Sequence, residues 1–322
     1  MALSPDDETA KCAFYLLKRT CERYFRFPQS YYLAPGTVKW GSHPSAYGGN
    51  GRVFEGRFQE RRVAVKEIYY KAEAERPTSS ADFAKEVVIW KQLRHRSIVP
   101  LLGVIVPRRP GPCFMVSPWM SRGNLTEYIR LNPKANKLRL ILDIVSGLEF
   151  LHSHNVIHGD LKADNILVDD EGLARLTDFG VTRQKLFLWC ATRSASVAGS
   201  TWHYAAPERL DPEGSSLGAE HLLWQSDIYS LSLVMWEIYA QQRVFPEYHG
   251  LAIVRAVAID KKRPGHTPQM DVNGLTDPIW NMMQECWQHD YKLRPTSKKV
   301  LRSLEAQVPE CNTCSSQATD TF

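Results

Sequence analysis

The spacing of apolar residues changes several times along this chain, and each change predicts a different kind of element. Residues 8–27 carry apolar side chains at helical spacing, and Pro28 follows them. We therefore expect a helix here that packs on the main body of the protein, with a helix that binds a partner as the alternative. The repeating apolar positions of this stretch are Ala13, Leu16, Leu17 and Tyr24.

Residues 36–70 show the β-branched and aromatic runs that are typical of strands. Two such runs, Val53-Phe54 and Val63-Ala64-Val65, are separated by the polar segment Gln59-Glu60-Arg61-Arg62. Residues 80–94 return to the helical period, and their apolar stripe consists of Phe83, Val87, Trp90 and Leu93. Two more strand-like runs follow at 101–106 and 113–116.

From residue 124 onward the pattern is helical, with predicted helices at 124–131, 137–154, 220–240, 249–260, 276–287 and 296–306. A small β-rich lobe with one key helix thus precedes a large helical lobe, which places the chain in the α+β class. We divide it into a helical extension (1–35), a domain (36–305, with an N-lobe 36–120 and a C-lobe 121–305) and a disordered tail (306–322).

Composition excludes several classes of function. The net charge of +5 over 322 residues is too small to indicate a nucleic-acid partner. The most apolar helical stretch, 228–240, is shorter than the roughly 20 residues of a membrane span, so we expect no transmembrane helix. Seven scattered cysteines without a preceding signal peptide predict reduced thiols and a cytoplasmic location, and they leave nuclear access open.

Six motifs stand in one fixed order, and their residue types suit a site for phosphoryl transfer. They are Gly48-Gly49-Asn50-Gly51-Arg52-Val53, Val63-Ala64-Val65-Lys66, Glu86, His158-Gly159-Asp160-Leu161-Lys162-Ala163-Asp164-Asn165, Asp178-Phe179-Gly180 and Ala206-Pro207-Glu208. Glycines let backbone N–H groups approach phosphates, and phosphoryl transfer needs mainly positioned charges. In this order and spacing the motifs resemble the eukaryotic protein kinase signature set, over about residues 36–305.

The resemblance implies the bilobal protein kinase fold, with ATP as a cofactor. The implied ATP-binding positions are Ala46, Gly48, Gly49, Gly51, Val53, Ala64, Lys66, Ser117, Trp119, Met120 and Leu167. In the family, the positions of Val53, Ala64 and Leu167 sandwich the adenine base. Ser117 corresponds to the gatekeeper residue, and Pro118 to Met120 correspond to the hinge.

The same resemblance assigns the chemistry. Lys66 would contact the α- and β-phosphates and pair with Glu86, 20 residues downstream. Asp160 would act as the catalytic base or, more cautiously, orient the substrate hydroxyl. Asn165 and Asp178 would bind Mg²⁺, an ion that prefers oxygen ligands and keeps several waters.

Further matches have structural roles in the family. Glu208 would pair with Arg294 in a buried bidentate contact. Asp227 would brace the catalytic loop from a central helix, and Thr201 would contact the same loop.

Two positions depart from the family pattern. Ala46 stands where the first glycine of the loop is expected, which puts tight nucleotide binding in doubt. Gly159 stands where most members have an arginine that pairs with a phosphate on the activation segment. We therefore predict an enzyme that does not need phosphorylation of its activation segment, residues 178–208.

The class of kinase follows from a combination of features. Lys162 matches the catalytic lysine that meets the γ-phosphate in serine/threonine kinases, whereas Cys286-Trp287 and Arg294-Pro295-Thr296 look like tyrosine kinases and the tyrosine-kinase-like group. Together they resemble tyrosine-kinase-like serine/threonine kinases, which act on protein substrates in signal transduction. The His158-to-Lys162 form is also similar to expanded fungal families, and we take the chain as a monomer.

Other interpretations stay open. Ala46 and Gly159 leave room for a catalytically weak pseudokinase scaffold. The polar residues whose loss usually marks a pseudokinase are nevertheless present: Lys66, Glu86, Asp160, Asn165 and Asp178. Tyrosine or dual specificity is a second alternative. Small-molecule kinases related to aminoglycoside or choline kinases are a third, but they usually lack the Ala206-Pro207-Glu208 segment.

Overall fold

A β-sheet lobe precedes a mainly helical lobe in the computed structural model, which describes residues 8–34, 36–48, 51–68, 78–106, 111–179, 201–211 and 224–308. The strands are β1 Val38–Trp40, β2 Ala46–Gly48, β3 Gly51–Phe58, β4 Arg61–Ile68, β5 Gly103–Ile105, β6 Cys113–Pro118, β7 Ile166–Val168 and β8 Ala174–Leu176. This arrangement confirms the predicted α+β class.

Most predicted helices agree with the structure to within a few residues where both are described. The helix predicted at 249–260 divides into the α-helix Leu251–Val254 and the π-helix Arg255–Ile259, and the short helices Pro207–Leu210 and Pro268–Val272 were not predicted. The α-helices are numbered in chain order. They are α1 Glu8–Tyr24, α2 Thr78–Gln92, α3 Leu125–Leu131, α4 Lys137–Ser153, α5 Pro207–Leu210, α6 Trp224–Ala240, α7 Leu251–Val254, α8 Pro268–Val272, α9 Asp277–Cys286 and α10 Ser297–Glu305. Within the described ranges, no helix combines the length and the apolar character that a membrane crossing requires. Residues 309–322 of the predicted tail lie outside the described residues, and the domain boundaries stay predictions.

The large sheet is antiparallel, with strand order β1-β3-β4-β6-β5, and β2 also pairs with β3. The β3–β4 hairpin turns at Gln59 and Glu60, which both have positive φ values of 48° and 62°. Such φ values are those of the tight hairpin turns that match strand twist. Strands β7 and β8 form a separate pair that follows the catalytic-loop motif in the chain.

The first helix is shorter than predicted. It ends at Tyr24 rather than near residue 27, because Phe25 adopts a left-handed φ of 50°. The N–H of Phe25 donates to the carbonyl of Cys21 at 2.9 Å and closes the last turn.

Helix α1 also buries a different face from the predicted one. Of the predicted apolar positions, Leu16 and Tyr24 are 58% and 61% exposed, whereas Cys21 is almost fully buried. Phe14 and Leu17 pack beside Cys21 against the core. These three positions also recur at helical spacing, so the periodicity predicted the helix correctly but not which of two adjacent stripes faces α2. The stripe predicted for α2 is confirmed, since all four of its members are buried.

Helix α6 forms the centre of the helical lobe. Every residue from Ser226 to Ala240 is buried, as expected for a helix that is covered on all sides. The buried helix carries two carboxylates, Asp227 and Glu237, and each needs polar partners because an unpaired buried charge is costly.

Glu237 lies between two donors. The hydroxyl of Tyr204 donates to Oε2 at 2.5 Å, and the N–H of Val244 donates to Oε1 at 2.9 Å. Burial outweighs these hydrogen bonds and raises the pKa of Glu237 to about 7. The carboxyl therefore exchanges its proton near neutral pH in the folded protein.

We expect Glu237→Gln to flatten the pH dependence of stability. The folded protein keeps the Glu237 proton up to a pKa of about 7, whereas the unfolded chain releases it near 4.5. Stability of the wild type therefore falls as pH rises through this window, by about 3 kcal/mol if the group ionises fully. Thermal unfolding between pH 5 and pH 8 measures this, and equal slopes for wild type and variant would contradict it.

Candidate active site

One face of the large sheet collects most of the predicted nucleotide-binding positions. Residues directly opposite each other on antiparallel strands point to the same face, and so do alternate residues of one strand. The register pairs Ala46 with Val53, Val53 with Lys66, and Ala64 with Ser117. The positions that share this face are Ala46, Gly48, Gly51, Val53, Ala64, Lys66 and Ser117.

Gly51 occupies a position where a side chain cannot fit. Its φ is 145°, and a Cβ added there would lie 1.9 Å from the carbonyl oxygen of Glu67. Gly48 is paired with Gly51 across the hairpin. Gly49, which completes the predicted loop, lies outside the described residues.

The remaining predicted adenine contacts lie at the junction of the lobes. Trp119 follows β6, and its N–H donates to Arg62 O at 3.1 Å while the Arg62 guanidinium lies over its ring. Met120 is buried in the main core. Leu167 lies on β7 and is bridged to Asn124. The structure therefore places these three residues near the point where the chain passes from sheet to helices.

Lys66 is a largely buried cation between two carboxylates, and its side chain is 13% exposed. Its Nζ lies 2.5 Å from Asp178 Oδ1 and 3.9 Å from Glu86 Oε1. Burial alone would lower the pKa of Lys66, but the two carboxylates outweigh it and the pKa is raised. The lysine therefore keeps its positive charge at neutral pH.

Asp178 reaches Lys66 from an unusual backbone conformation. Its φ is 59°, a left-handed value that few non-glycine residues adopt and that aspartate tolerates better than most. The neighbouring Phe179 is buried and meets the rings of Trp90 and His158 edge-to-face, with centroids 6.0 and 6.2 Å apart. These aromatic contacts connect α2, the catalytic loop and the residue that follows Asp178. Gly180 lies outside the described residues.

Three side chains of the catalytic loop form one polar cluster around Asp160. Lys162 Nζ donates to Asp160 Oδ2 at 2.9 Å, and Asn165 Nδ2 donates to the same oxygen at 3.0 Å. Asn165 Nδ2 also donates to the Asp160 carbonyl at 2.8 Å. The carboxylate of Asp160 is thus oriented by a lysine and an amide, while its side chain keeps 24% of its surface exposed.

The residues at this point fit a magnesium ion. The N–H of Thr177 donates to the Asn165 carbonyl at 3.0 Å, so the chain brings Asp178 next to Asn165. Because Nδ2 of Asn165 is bound to Asp160, its amide oxygen is the atom suited to a metal. One amide oxygen and one carboxylate are hard oxygen donors of the kind that Mg²⁺ takes beside phosphates.

Asp227 holds the start of the catalytic loop. Its two oxygens accept from the backbone N–H groups of His158 and Gly159, each at 2.8 Å. His152 Nε2 lies 3.0 Å from Oδ2, and its Nδ1 lies 3.1 Å from Ser297 Oγ. Burial would raise the pKa of Asp227, but these partners outweigh it and the pKa is lowered. The loop is thus attached to a charged group in the core of the helical lobe.

Gly159 adopts a φ of 77°, which a glycine reaches without the strain that other residues incur. Its carbonyl accepts from Arg209 Nη1 at 2.6 Å. Arg209, which directly follows Ala206-Pro207-Glu208, therefore contacts Gly159, the residue that stands where most family members have an arginine.

A second buried ion pair joins the end of the motif set to the C-terminal part of the domain. Arg294 donates from Nη1 and Nη2 to the two oxygens of Glu208, both at 2.7 Å. Ser226 Oγ adds a third hydrogen bond to Glu208 at 2.7 Å. Burial would raise the pKa of Glu208, but Arg294 and Ser226 outweigh it and the pKa is lowered. The backbone of Thr201 begins a 3₁₀ turn, and its side chain lies outside the described residues.

Sequence reasoning missed three of these partners. His152 and Ser297 lie in unremarkable helical positions, and Arg209 lies just beyond a recognised motif. No local pattern distinguishes them, because their roles depend on contacts between segments far apart in the chain.

A sheet lobe with a buried, doubly paired lysine, joined to a helical lobe with an Asp–Lys–Asn cluster, has the architecture of a protein kinase domain. Comparison of sequences agrees. The family described as "Protein tyrosine and serine/threonine kinase" matches residues 45–304. The chain therefore belongs to the protein kinase family, which confirms the resemblance drawn from the six motifs.

Several curated proteins are similar to this chain. One, "Probable serine/threonine-protein kinase SIS8" of Arabidopsis thaliana, is 31% identical over 80% of this chain and 24% of its own length. "Serine/threonine-protein kinase STY17" of the same plant is 28% identical over 82% and 44%, respectively. "Serine/threonine/tyrosine-protein kinase HT1" is 29% identical over 83% of this chain and 65% of its own. The chain thus spans less than half the length of the first two.

We expect Gly51→Ala to weaken ATP binding about tenfold, which corresponds to about 1.4 kcal/mol. The added Cβ would overlap the Glu67 carbonyl and displace the hairpin that faces the predicted phosphate position. Gly41→Ala is the matched control, since nothing lies within 4 Å of a Cβ there. Calorimetric titration with ATP measures both variants, and equal dissociation constants would contradict the prediction.

Proposed function

We propose that this chain is an ATP-dependent protein kinase that transfers the γ-phosphate of ATP to serine and threonine hydroxyls of protein substrates. The observation that carries the proposal is one juxtaposition. Lys66 is paired with Asp178 and Glu86. The Asp160 cluster includes Asn165, whose carbonyl accepts from the N–H of Thr177, the residue before Asp178.

Lys66 supplies fixed positive charge on the face where the phosphates would lie. Its ammonium group is already hydrogen-bonded to Asp178 and lies near Glu86, so its charge is in place when the anionic nucleotide arrives. Preorganised charge of this kind is usually the largest contribution to catalysis of phosphoryl transfer.

Asp160 is the group proposed to meet the substrate hydroxyl. Its carboxylate would accept the hydroxyl proton as the oxygen forms a bond to the γ-phosphorus and the bond from that phosphorus to the β–γ bridging oxygen breaks. ADP would leave with the electrons of that bond. A positioned base contributes roughly 10²- to 10⁴-fold, and Lys162 beside it offers a charge for the transferred phosphoryl group.

Asn165 and Asp178 are the residues proposed to hold Mg²⁺. The ion, when bound, supplies positive charge to the phosphate oxygens. The chain's own contribution is the backbone hydrogen bond from Thr177 to Asn165, which joins the two segments that carry these oxygen donors.

Specificity for serine and threonine is supported by Lys162, whose Nζ lies 2.9 Å from Asp160 Oδ2, and by the serine/threonine names of the relatives. One relative is named a serine/threonine/tyrosine kinase, which favours dual specificity as the second candidate. The buried Glu208–Arg294 pair supports a protein substrate, because small-molecule kinases usually lack the segment that Glu208 ends. The four cysteines of the described ranges are thiols rather than disulfides, which supports a cytoplasmic location.

Transfer from ATP–Mg²⁺ tests the proposal directly. The wild type, on itself and on a generic basic protein, should yield phosphoserine and phosphothreonine detected by mass spectrometry. Asp160→Asn should lower the rate about 10²-fold or more because the proton acceptor is lost. Asp178→Asn should lower the rate by a similar factor, because Asp178 is both the partner of Lys66 and a proposed ligand of Mg²⁺, and the change removes its charge.

The outcomes separate the candidates. Phosphotyrosine beside phosphoserine would establish dual specificity. ATP binding by the wild type without any transfer would overturn the proposal in favour of a scaffold. Transfer that survives in both variants would show that another protein in the preparation is responsible.

We further expect activity without phosphorylation of the activation segment, since Gly159 cannot provide the arginine–phosphate pairing of the family. Protein treated with a phosphatase, and verified as unmodified by mass spectrometry, should keep its initial rate within about twofold of the untreated rate, a difference below 0.5 kcal/mol. An inert dephosphorylated enzyme whose activity returns on phosphorylation would refute this prediction.

A further inference from the structure

The N-terminal segment lies outside the region that matches the kinase family, yet it packs on the helix that carries Glu86. The match begins at residue 45, whereas α1 precedes it and packs along α2. Phe14, Leu17 and Cys21 of α1 join the same core as Phe83 and its neighbours on α2. The segment 8–33, from α1 to the residue joined to β5, is called the N-terminal brace below.

Aromatic rings connect the brace to α2 one turn before Glu86. Phe27 is buried, and its ring meets Phe83 edge-to-face with centroids 6.1 Å apart. The ring of Phe25 lies 5.8 Å from the same partner. Since Phe83 and Glu86 are three residues apart on one helix, a displacement of the first moves the second.

The brace also holds the C-terminal end of α2. Gln92 Nε2 donates to the hydroxyl of Tyr31 at 2.6 Å, and Lys91 Nζ lies over the Tyr31 ring. Lys91 Nζ also donates a hydrogen bond to the carbonyl of Leu102 at 2.6 Å. The last turn of α2 is therefore attached both to the brace and to the chain that leads into β5.

A third attachment joins the brace to the sheet. The N–H of Leu33 donates to Val104 O at 3.0 Å, and Tyr32 forms a parallel bridge with Val104. Gly103 permits this approach, because a Cβ there would lie 2.7 Å from the Tyr31 carbonyl. The brace thus contacts both α2 and β5, which is the edge strand of the sheet to which Lys66 belongs.

The ion pair between the two catalytic elements does not hold α2 by itself. Lys66 Nζ and Glu86 Oε1 are 3.9 Å apart, which exceeds the length of a hydrogen bond, whereas Lys66 and Asp178 are 2.5 Å apart. What packs against α2 therefore contributes to the position of Glu86. The brace covers that helix with buried aromatic surface.

We propose that the N-terminal brace is a positioning element of this kinase, and that Phe27 acts on catalysis through Glu86. The inference rests on the proposed function. Trp90 extends the effect, because its Nε1 donates to Val99 O at 2.6 Å and its ring contacts Phe179. Packing on α2 thus reaches both Glu86 and the residue next to Asp178.

A double-mutant cycle separates positioning from general stability. Phe27→Ala should lower kcat/KM about 10- to 100-fold, the range that a displaced catalytic group costs. In a protein that already carries Glu86→Gln, Phe27→Ala should lower kcat/KM by less than about twofold, because the effects of coupled sites are not additive. Phe27→Leu, which keeps an apolar side chain, should restore most of the rate.

A control on the same segment is Tyr15→Ala. Tyr15 is 57% exposed on α1, so its removal should leave kcat/KM unchanged. Equal losses from Phe27→Ala with and without Glu86→Gln, or no loss at all, would overturn the inference. Hydrogen exchange of the α2 amides in Phe27→Ala, compared with Tyr15→Ala, gives a readout that needs no activity. Exchange that is faster only in Phe27→Ala is the expected result, and unchanged exchange contradicts it.

If the wild type transfers no phosphate, the proposed function fails, but the exchange measurement still decides whether the brace positions α2. If the wild type is active and the cycle is additive, only the further inference fails.

Discussion

A buried ammonium group at Lys66 constrains both lobes of this molecule. Removing a charge from water costs several kcal/mol unless partners offset it, and here the partners come from two other parts of the chain. Asp178 follows the β7–β8 pair and Glu86 lies on α2, whereas Lys66 itself lies on β4. The sheet, the helix and the helical lobe must therefore all be in place before the charge is satisfied. The same arrangement is what a negatively charged nucleotide requires.

The loop that begins at His158 depends on a second buried charge, Asp227, which also needs partners from other parts of the chain. Asp227 lies on a helix that is covered on all sides, and it accepts from two consecutive amides of the loop and contacts His152. Glu208 is a third case, since Arg294 binds it through two hydrogen bonds. Breaking a buried pair typically costs 3–5 kcal/mol because the remaining charge is uncompensated. Charges buried in the core, rather than surface contacts, thus hold the loop that carries Asp160 and the segment that ends at Glu208.

The sequence allowed much of this to be predicted, and the limits have physical causes. The lobes, most helices and the buried stripe of α2 follow from periodicity, and the motif residues follow from spacing. The buried face of α1 did not, because Leu16 and Leu17 belong to two neighbouring stripes and only the position of α2 selects between them. Helix α8, Pro268–Val272, is too short for a periodic signal. His152 and Arg209 escape prediction because a partner 50 or more residues away gives each its role.

Two features of this chain, Gly159 in the loop and the N-terminal brace on α2, bear on how the site is controlled. A phosphate-dependent switch needs two states of similar free energy, so that a new charge can shift the balance between them. Gly159 removes the arginine that reads such a charge, and its left-handed backbone is held by Asp227 on one side and Arg209 on the other. In our proposal the N-terminal brace does for α2 what Asp227 does for the loop, through the buried contact between Phe27 and Phe83. Packing at both places would favour a single arrangement of the site over the two states of similar free energy that a phosphate-dependent switch needs.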